Sequence, residues 1–327
     1  MLRTLALAAA LLLLPAPPAA GADWAIAIHG GAGTIARDRF SAEEEARIRA
    51  ALARARDAGA AILAGGGRAV DAVVAAVTIL EEEPLFNAGV GAVLTSAGTV
   101  ELDAAVMDGR MRRLGAVTGV TRTRSPVALA RRLMERGPHV FLAGAGAEAF
   151  ARAEGLEEVP NDHFVTERRR RQLEDQRLRG TGAARAAEGA FGTVGAVARD
   201  RAGHLAAATS TGGLSGKAPG RIGDTPVVGA GTVAEDGACA VSATGTGELF
   251  LRARVAGQIC DRIRFGREPL ARAARAALQE MAALGGAGGL VAVDARGRIA
   301  MPLTTPGMYR AAADSRGTRI VAIFADE

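Results

Sequence analysis

Apolar and polar positions follow two different periods along the chain. Residues 42–63 and 69–82 carry apolar side chains at three- and four-residue spacing, which predicts two amphipathic helices. Glycines or a proline follow each of them and end the helical pattern. Residues 24–28 alternate instead and run into the glycine-rich sequence HGGAGT at residues 29–34. This pattern predicts a strand followed by a tight loop.

The remainder of the chain mixes both periods. The spacing predicts four more helices, at residues 126–136, 147–154, 248–263 and 269–284. Alternation predicts further strands at residues 193–199, 204–210, 227–234, 238–243, 290–294 and 319–324. Helix pairs that precede and follow antiparallel strands favour an α+β arrangement of four layers, with the sheets between two layers of helices.

The first 22 residues differ from the rest of the chain. Arg3 precedes a short apolar run at residues 5–14, prolines follow, and Ala20-Gly21-Ala22 offers a small-residue cleavage site. This order predicts a signal peptide over residues 1–22, because the apolar run is shorter than the roughly 20 residues of a spanning helix. We expect a secreted or periplasmic protein with no stable membrane insertion after cleavage. A retained membrane anchor is the alternative.

A second unusual segment runs from about residue 166 to residue 192. It is dense in charge and poor in large apolar side chains after Leu178. Such a sequence cannot bury enough apolar surface to offset its ordering entropy. We expect a solvated helix over residues 167–179 that passes into a flexible linker before Gly192.

Composition excludes several classes of function. Lys+Arg 40 against Asp+Glu 35 gives a formal net charge of +5, but aromatic residues are only 3% of the chain. Nucleic-acid binding is therefore not expected, because stacking residues are scarce. The histidines show no metal-ligand spacing, so no zinc or iron cofactor is expected. Cys239 and Cys260 are able to pair in an oxidising compartment, but two unpaired, buried side chains are the favoured expectation.

The sequence from Gly192 to Gly213, GTVGAVARDRAGHLAAATSTGG, carries the candidate chemistry. A threonine hydroxyl is a weak nucleophile until a base accepts its proton, and the nearest base is the amine of the same residue. Thr193 has a free amine only if the chain is cut after Gly192. The ordinary pKa of an α-amine, about 7.7 to 8.0, suits a base near neutrality. We predict that Thr193 attacks the Gly192 carbonyl and that water opens the resulting ester.

Arg221 and Asp224 form a second candidate site, for substrate. A free α-amino acid carries a carboxylate and an ammonium group, which a guanidinium and a carboxylate three residues apart on a turn are able to bind. With both α-groups held, the side-chain carbonyl of the substrate would reach Thr193. The alternative is an ordinary surface pair of little energetic value.

Seven motifs occur in a fixed order along the chain. They are HGGAGT at His29, FNAGVGAVLT at Phe86, ELDAAVMDG at Glu101, GTVGAVA at Gly192, TSTGG at Thr209, GRIGD at Gly220 and TGTGE at Thr244. In these motifs the chain resembles the plant-type L-asparaginases, also called isoaspartyl or β-aspartyl peptidases, among the N-terminal-nucleophile hydrolases. The resemblance covers essentially the whole chain after the leader.

The resemblance implies an αββα sandwich formed by two subunits of one domain. Residues 23–192 would be the α subunit, residues 193–327 the β subunit, and the enzyme a dimer of α/β heterodimers. It implies no cofactor, but the loop from Glu81 to Asn87 matches one that in relatives holds a structural sodium ion through backbone carbonyls.

The resemblance also assigns catalytic roles. Thr193 matches the nucleophile, and Thr211 would hold its hydroxyl and amine. Thr244 and Gly245 match the oxyanion hole, where a hydroxyl and a backbone N–H face the developing charge. Asn87 matches an asparagine near the nucleophile.

The remaining roles concern the substrate. Arg221, Asp224, Thr244 and Gly245 would bind it, and the loop from His29 to Gly33 would shape the site around the scissile bond. The implied reaction is hydrolysis of the side-chain amide of L-asparagine, and of the isopeptide bond of β-aspartyl dipeptides, through an acyl-enzyme.

Two other functions stay open from the sequence. A glycosylasparaginase-like amidase shares the threonine nucleophile and the Arg221–Asp224 pair, which we call the clamp. The sequence GTVG around the nucleophile and the HGGAGT motif favour the asparaginase/isoaspartyl peptidase assignment. A non-catalytic periplasmic amino-acid-binding protein would use only Arg221 and Asp224, and would remain a single chain.

Overall fold

The computed structural model describes residues 22–178 and 192–327. The predicted signal peptide up to residue 21 and the predicted linker from residue 179 to residue 191 lie outside the described residues. Ala22 is packed into the fold, and its N–H donates to the carbonyl of Arg296 over 3.1 Å. Within the two described ranges no helix is long and apolar enough to cross a membrane.

The described chain alternates between helices and short strands. The helices are α1 (Ala42–Ala64), α2 (Ala69–Glu81), α3 (Pro126–Arg136), α4 (Gly144–Ala153), α5 (Glu167–Leu178), α6 (Gly247–Ala253), α7 (Val255–Arg264) and α8 (Leu270–Ala283). The strands are β1 (Ala25–Gly33), β2 (Leu102–Asp108), β3 (Arg113–Val120), β4 (Phe141–Ala143), β5 (Val194–Arg199), β6 (Leu205–Thr211), β7 (Thr232–Ala234), β8 (Cys239–Gly245), β9 (Gly288–Asp294), β10 (Ile299–Ala300), β11 (Gly307–Asp314) and β12 (Arg319–Phe324).

These strands form two sheets that pack face to face. The larger sheet has the order β12-β11-β1-β5-β6-β2-β3-β4, and the smaller has the order β10-β9-β8-β7. Helices α1, α2 and α3 cover the outer face of the larger sheet, while α7 and α8 pack against the smaller one. The predicted α+β fold, a four-layer αββα sandwich, is confirmed.

Alternation along the central strands divides the core into two parts. On β1, Ile26 and Ile28 point toward the helices, whereas Ala25 and Ala27 point toward the smaller sheet. Because successive side chains of a strand lie on opposite faces, His29 continues the inner series. The inner face therefore changes from small apolar side chains to polar ones along the same strand.

The disulfide corrects one prediction. Cys239 at the start of β8 and Cys260 in α7 form a disulfide, with their Cα atoms 5.4 Å apart. The expectation of two unpaired cysteines was wrong because α7 packs directly on β8, which brings the two backbones within bonding distance. Spacing along the sequence carries no such information.

Further comparisons concern secondary structure. The helix predicted over residues 167–179 is present as α5, but it is not wholly solvated, because Arg169 is buried and donates to the carbonyl of Gly91 over 2.6 Å. The helix predicted over 248–263 is two helices, because Arg254 has a left-handed conformation with φ of 49°. Of the strand predicted over 227–234 only β7 forms, and strands β3, β4, β10 and β11 were missed.

Candidate active site

Thr193 lies directly before β5 and lines a recess. Its hydroxyl donates to Thr211 Oγ1 over 3.1 Å, and the Thr211 hydroxyl donates to the carbonyl of Gly192 over 3.2 Å. The N–H of Gly213 also donates to Thr211 Oγ1, over 3.0 Å. Thr211 therefore connects the hydroxyl of Thr193 with the carbonyl that it is predicted to attack.

The hairpin formed by β5 and β6 creates this arrangement. Val194 pairs with Ser210, so the residues that flank this pair, Thr193 and Thr211, lie side by side at the end of the ladder. Both side chains point to the inner face, as alternation requires. The predicted neighbourhood of the two threonines is thus present in the structure.

Arg221 and Asp224 line the same recess as Thr193. A Cβ added to Gly247 would lie 2.7 Å from Asp224 Oδ1 and 2.9 Å from Arg221 Nη2, so the two charged groups face each other across that glycine. Gly247 keeps open the space between cation and anion.

The environment of the Asp224 carboxylate suits a bound cation. It is buried, and its Oδ2 has no hydrogen-bond partner within residues 22–178 and 192–327. Burial raises the pKa of Asp224 to about 7, although its own backbone N–H and the charge of Arg221 oppose the rise. An ammonium group in the recess would stabilise the carboxylate.

Glu248 is a residue that sequence reasoning missed. Arg221 Nε donates to Glu248 Oε1 over 2.9 Å, which leaves the two terminal nitrogens of the guanidinium for another anion. Burial opposes ionisation of Glu248, but the hydrogen bond and charge of Arg221 outweigh it and lower the pKa. The only signal in the sequence was the charged end of TGTGE, which does not identify its partner.

Thr244 and Gly245 end β8 beside the recess. Gly245 lines it and has a φ of 150°. Thr244 is fully buried, and its Oγ1 accepts the N–H of Ala32 over 3.3 Å. Ala32 lies in β1, which continues to Gly33 by pairing with β11, so the prediction of a tight loop after residue 28 was wrong and this end of β1 packs against the end of β8. Because the Thr244 hydroxyl accepts in its bond with Ala32, its proton is available for donation.

Asn87 lies close to the scissile bond but outside the recess lining. A Cβ added to Gly192 would be 2.7 Å from the Cβ of Asn87. The amide nitrogen donates to the carbonyl of Gly213 over 2.8 Å, and the amide oxygen accepts the N–H of Val93 over 2.8 Å. In this conformation the side chain ties two loops together beside Thr193.

The resemblance implies a sodium ion at the loop from Glu81 to Asn87. The Glu81 carboxylate accepts hydrogen bonds from two serine hydroxyls and one backbone N–H, so it is unsuited to ligate a cation. The backbone carbonyls of Glu81 and Glu83 each accept one N–H bond and keep a second lone pair. Such oxygens fit a hard cation. No step of the mechanism depends on it.

The comparisons with known proteins agree with this geometry. A profile described as asparaginase matches residues 22–323. The chain belongs to the asparaginase family. The resemblance recognised in the sequence is therefore confirmed, and the family assignment covers nearly all described residues.

Several curated relatives of this asparaginase-family chain match it over most of their length. The isoaspartyl peptidase of Salmonella typhimurium is 50% identical over 293 residues, which cover 88% of this chain and 94% of that protein. The isoaspartyl peptidase of Escherichia coli is 48% identical over 309 residues, covering 92% and 96%. The isoaspartyl peptidase/L-asparaginase of Homo sapiens is 42% identical over 290 residues, covering 88% and 92%.

Proposed function

We propose that this chain is a self-processing threonine hydrolase that cleaves the side-chain amide of L-asparagine and the isopeptide bond of β-aspartyl dipeptides. The observation that carries the proposal is the recess shared by Thr193, Arg221 and Asp224. The names of the relatives, isoaspartyl peptidase with or without L-asparaginase, support the same chemistry.

Self-cleavage would begin in the uncut chain. Oγ1 of Thr193 attacks the Gly192 carbonyl, the hydroxyl proton passes to the peptide nitrogen, and the peptide C–N bond breaks to give an ester and the free Thr193 amine. Thr211 supports this step, because its hydroxyl donates to the same carbonyl and polarises it. Water then opens the ester and leaves Gly192 as a carboxylate.

Substrate hydrolysis would reuse the same hydroxyl with a new base. Arg221 binds the α-carboxylate and Asp224 the α-ammonium group, so the side-chain carbonyl faces Thr193. The Thr193 amine accepts the hydroxyl proton, Oγ1 attacks, and the leaving amine takes the proton as the amide C–N bond breaks. The Thr244 hydroxyl and the Gly245 N–H stabilise the oxyanion, and water hydrolyses the ester to release aspartate.

Export and assembly belong to the same proposal. A signal peptide over residues 1–22 would direct the protein to a secreted or periplasmic location. The disulfide between Cys239 and Cys260 supports this location, because disulfides persist in oxidising compartments. We also propose two subunits divided at Gly192 and Thr193, assembled as a dimer of α/β heterodimers. Native mass measurement tests the assembly.

Hydrolysis of asparagine and of a β-aspartyl dipeptide by the processed protein tests the substrates. Arg221→Ala is expected to lower kcat/KM for both by at least about tenfold, since a hydrogen bond to a charged group contributes about 1.5–3 kcal/mol. Self-cleavage should be unaffected, because Arg221 does not contact the scissile bond.

Arg264→Ala is the matched control, because Arg264 also pairs with a glutamate, Glu235, over 3.4 Å. It is expected to behave like the wild type. Fully processed protein that hydrolyses neither compound would overturn the substrate assignment. Binding of aspartate without turnover by an uncut chain would favour the binding-protein alternative.

A further inference from the structure

A row of buried side chains connects Thr193 with the space between the two sheets. His29 Nδ1 lies 2.9 Å from the carbonyl oxygen of Thr193, and His29 Nε2 lies 2.8 Å from Ser242 Oγ. Ser242 Oγ is 2.7 Å from Thr209 Oγ1, which is 2.6 Å from Thr232 Oγ1. We call His29, Ser242, Thr209 and Thr232 the buried relay; each of them is 0% exposed.

The carbonyl of Thr193 fixes the direction of the hydrogen bonds that link His29, Ser242 and Thr209. The Thr193 carbonyl can only accept, so His29 Nδ1 carries a proton. Burial lowers the pKa of His29 to about 3, so the imidazole is neutral and Nε2 accepts. The Ser242 hydroxyl must then donate to Nε2 and the Thr209 hydroxyl to Ser242. The Thr232 hydroxyl has one proton and two acceptors, Thr209 Oγ1 at 2.6 Å and the carbonyl oxygen of Thr225 at 3.0 Å.

Gly195 provides an independent observation at the same place. A Cβ on Gly195 would lie 2.0 Å from Ser242 Oγ and 2.5 Å from His29 Nε2. Gly195 lies between His29 and Thr209 in the larger sheet, paired with each of them. Ser242 enters from the smaller sheet, through the space that the missing side chain leaves. The last glycine of GTVG therefore makes room for the His29–Ser242 contact.

The hydrogen bond between His29 and the Thr193 carbonyl would remain after self-cleavage. Thr193 precedes β5, whose pairing with β6 begins at Val194. Self-cleavage removes the peptide bond on the amino side of Thr193, while its carbonyl remains in the peptide bond to Val194. The hydrogen bond from His29 is thus an anchor that the cut leaves intact.

We propose that His29 and Ser242 are positioning residues for the nucleophile. They hold the carbonyl of Thr193 and thereby orient its amine and hydroxyl toward the recess. Thr209 contacts Ser242 Oγ over 2.7 Å and holds its hydroxyl in the donating orientation. The inference rests on the proposed role of Thr193, and it adds residues that do not contact the substrate.

Replacement of Ser242 tests the buried relay. Ser242→Ala removes the donor to His29 Nε2 and is expected to lower kcat about 10- to 100-fold, with KM changed less than about twofold, because misorientation affects the transition state rather than binding. Self-cleavage should slow as well. The measurements are kcat per processed site, KM and the half-time of self-cleavage.

Two substitutions at position 29 separate positioning from packing. His29→Asn retains an N–H donor near the place of Nδ1, whereas His29→Leu retains only bulk. We expect His29→Asn to keep at least about tenfold more kcat than His29→Leu at a similar thermal midpoint. Equal kcat in the two variants would contradict a positioning role.

Thr305→Val is the matched control for loss of a buried hydroxyl. Thr305 donates to the carbonyl of Gly307 over 2.8 Å and takes no part in the buried relay. It is expected to lower the thermal midpoint much as Ser242→Ala does, without changing kcat. If Ser242→Ala keeps kcat within about twofold of Thr305→Val, the inference is overturned.

Failure of the proposed substrates is distinguishable from failure of the inference. Wild-type protein that cuts itself but hydrolyses neither substrate would overturn the proposed substrates. The self-cleavage rates of the variants would still test the buried relay.

Discussion

Two neighbouring cross-strand rows on the inner face of the larger sheet have opposite character. The first row is Ala27, Val197 and Ala207, and the second is His29, Gly195 and Thr209. Both rows come from β1, β5 and β6, and they are only two residues apart along each strand. We call them the apolar row and the polar row.

The two rows contribute differently to stability and function. The apolar row packs into a cluster with the smaller sheet, where burial of nonpolar surface stabilises the fold by about 25 cal/mol per Å². In the polar row a hydrogen bond between buried groups contributes only about 1 kcal/mol net, and an unpartnered group costs about 1–3 kcal/mol. The polar row is therefore a weak source of stability, and its value lies in the orientation of Thr193.

The largest expected effect comes from a methyl group added to the polar row. Gly195→Ala would place a Cβ against Ser242 Oγ and His29 Nε2, both held by other hydrogen bonds. We expect kcat to fall by about 100-fold or more and self-cleavage to become slow. Timed gel analysis and initial rates on asparagine measure both.

Val197→Ala is the control in the apolar row. It removes two methyl groups from the same strand and should lower the free energy of unfolding by about 1–3 kcal/mol. Its kcat is expected to match the wild type. Equal loss of kcat in the two variants would show that the rows do not divide stability from function.

The second effect concerns pH and the clamp. Asp224 must be ionised to bind an ammonium group, and its pKa is about 7 in the empty site. Below that pH the fraction of protein with an ionised Asp224 falls, so the Kd of L-aspartate should rise by about tenfold per pH unit. Above that pH the Kd should level off. Calorimetric titration of processed enzyme from pH 5 to 9 measures this dependence.

Succinate is the matched ligand, because it lacks the ammonium group. Its binding should not weaken in the same way, since a protonated Asp224 presents no uncompensated charge. The ratio of the aspartate Kd to the succinate Kd is expected to increase as the pH falls. A ratio independent of pH would mean that Asp224 does not contact the ammonium group.

The smallest expected effect on activity comes from the disulfide at the apolar end of β8. The replacement of Cys239 and Cys260 by alanine opens a loop with a sequence separation of 21 and should cost about 3 kcal/mol of unfolding free energy. The thermal midpoint should fall by about 5–10 °C with kcat at 25 °C unchanged. A large loss of kcat would instead link this end of β8 to the site.

Patterns with local causes were predictable from the sequence. The hairpin of β5 and β6 follows from alternation around a turn, and it alone brings Thr193 beside Thr211. Helix α1 begins after Ser41, whose side chain forms a capping box with Glu44. The predicted site residues Thr193, Thr211, Arg221, Asp224 and Gly245 line one recess.

Features that depend on tertiary contact were not predictable. Strand β11 was missed because its alanines lack a strand signal and its Arg310 is buried, where it donates to three backbone carbonyls. Ser242 and Thr232 are ordinary strand residues by sequence, and their contacts with His29 and Thr209 come from the facing sheet. The pairing of Arg221 with Glu248 spans 27 residues and carries no periodic signal.

The most direct test of the central claim is the intact mass of purified protein, with N-terminal sequencing of each fragment, beside a Thr193→Ala control. The account predicts two fragments in the wild type, the second beginning at Thr193, and a single uncut chain in the control. A wild-type chain that stays uncut after long incubation, yet hydrolyses asparagine, would contradict a nucleophile activated by its own amine.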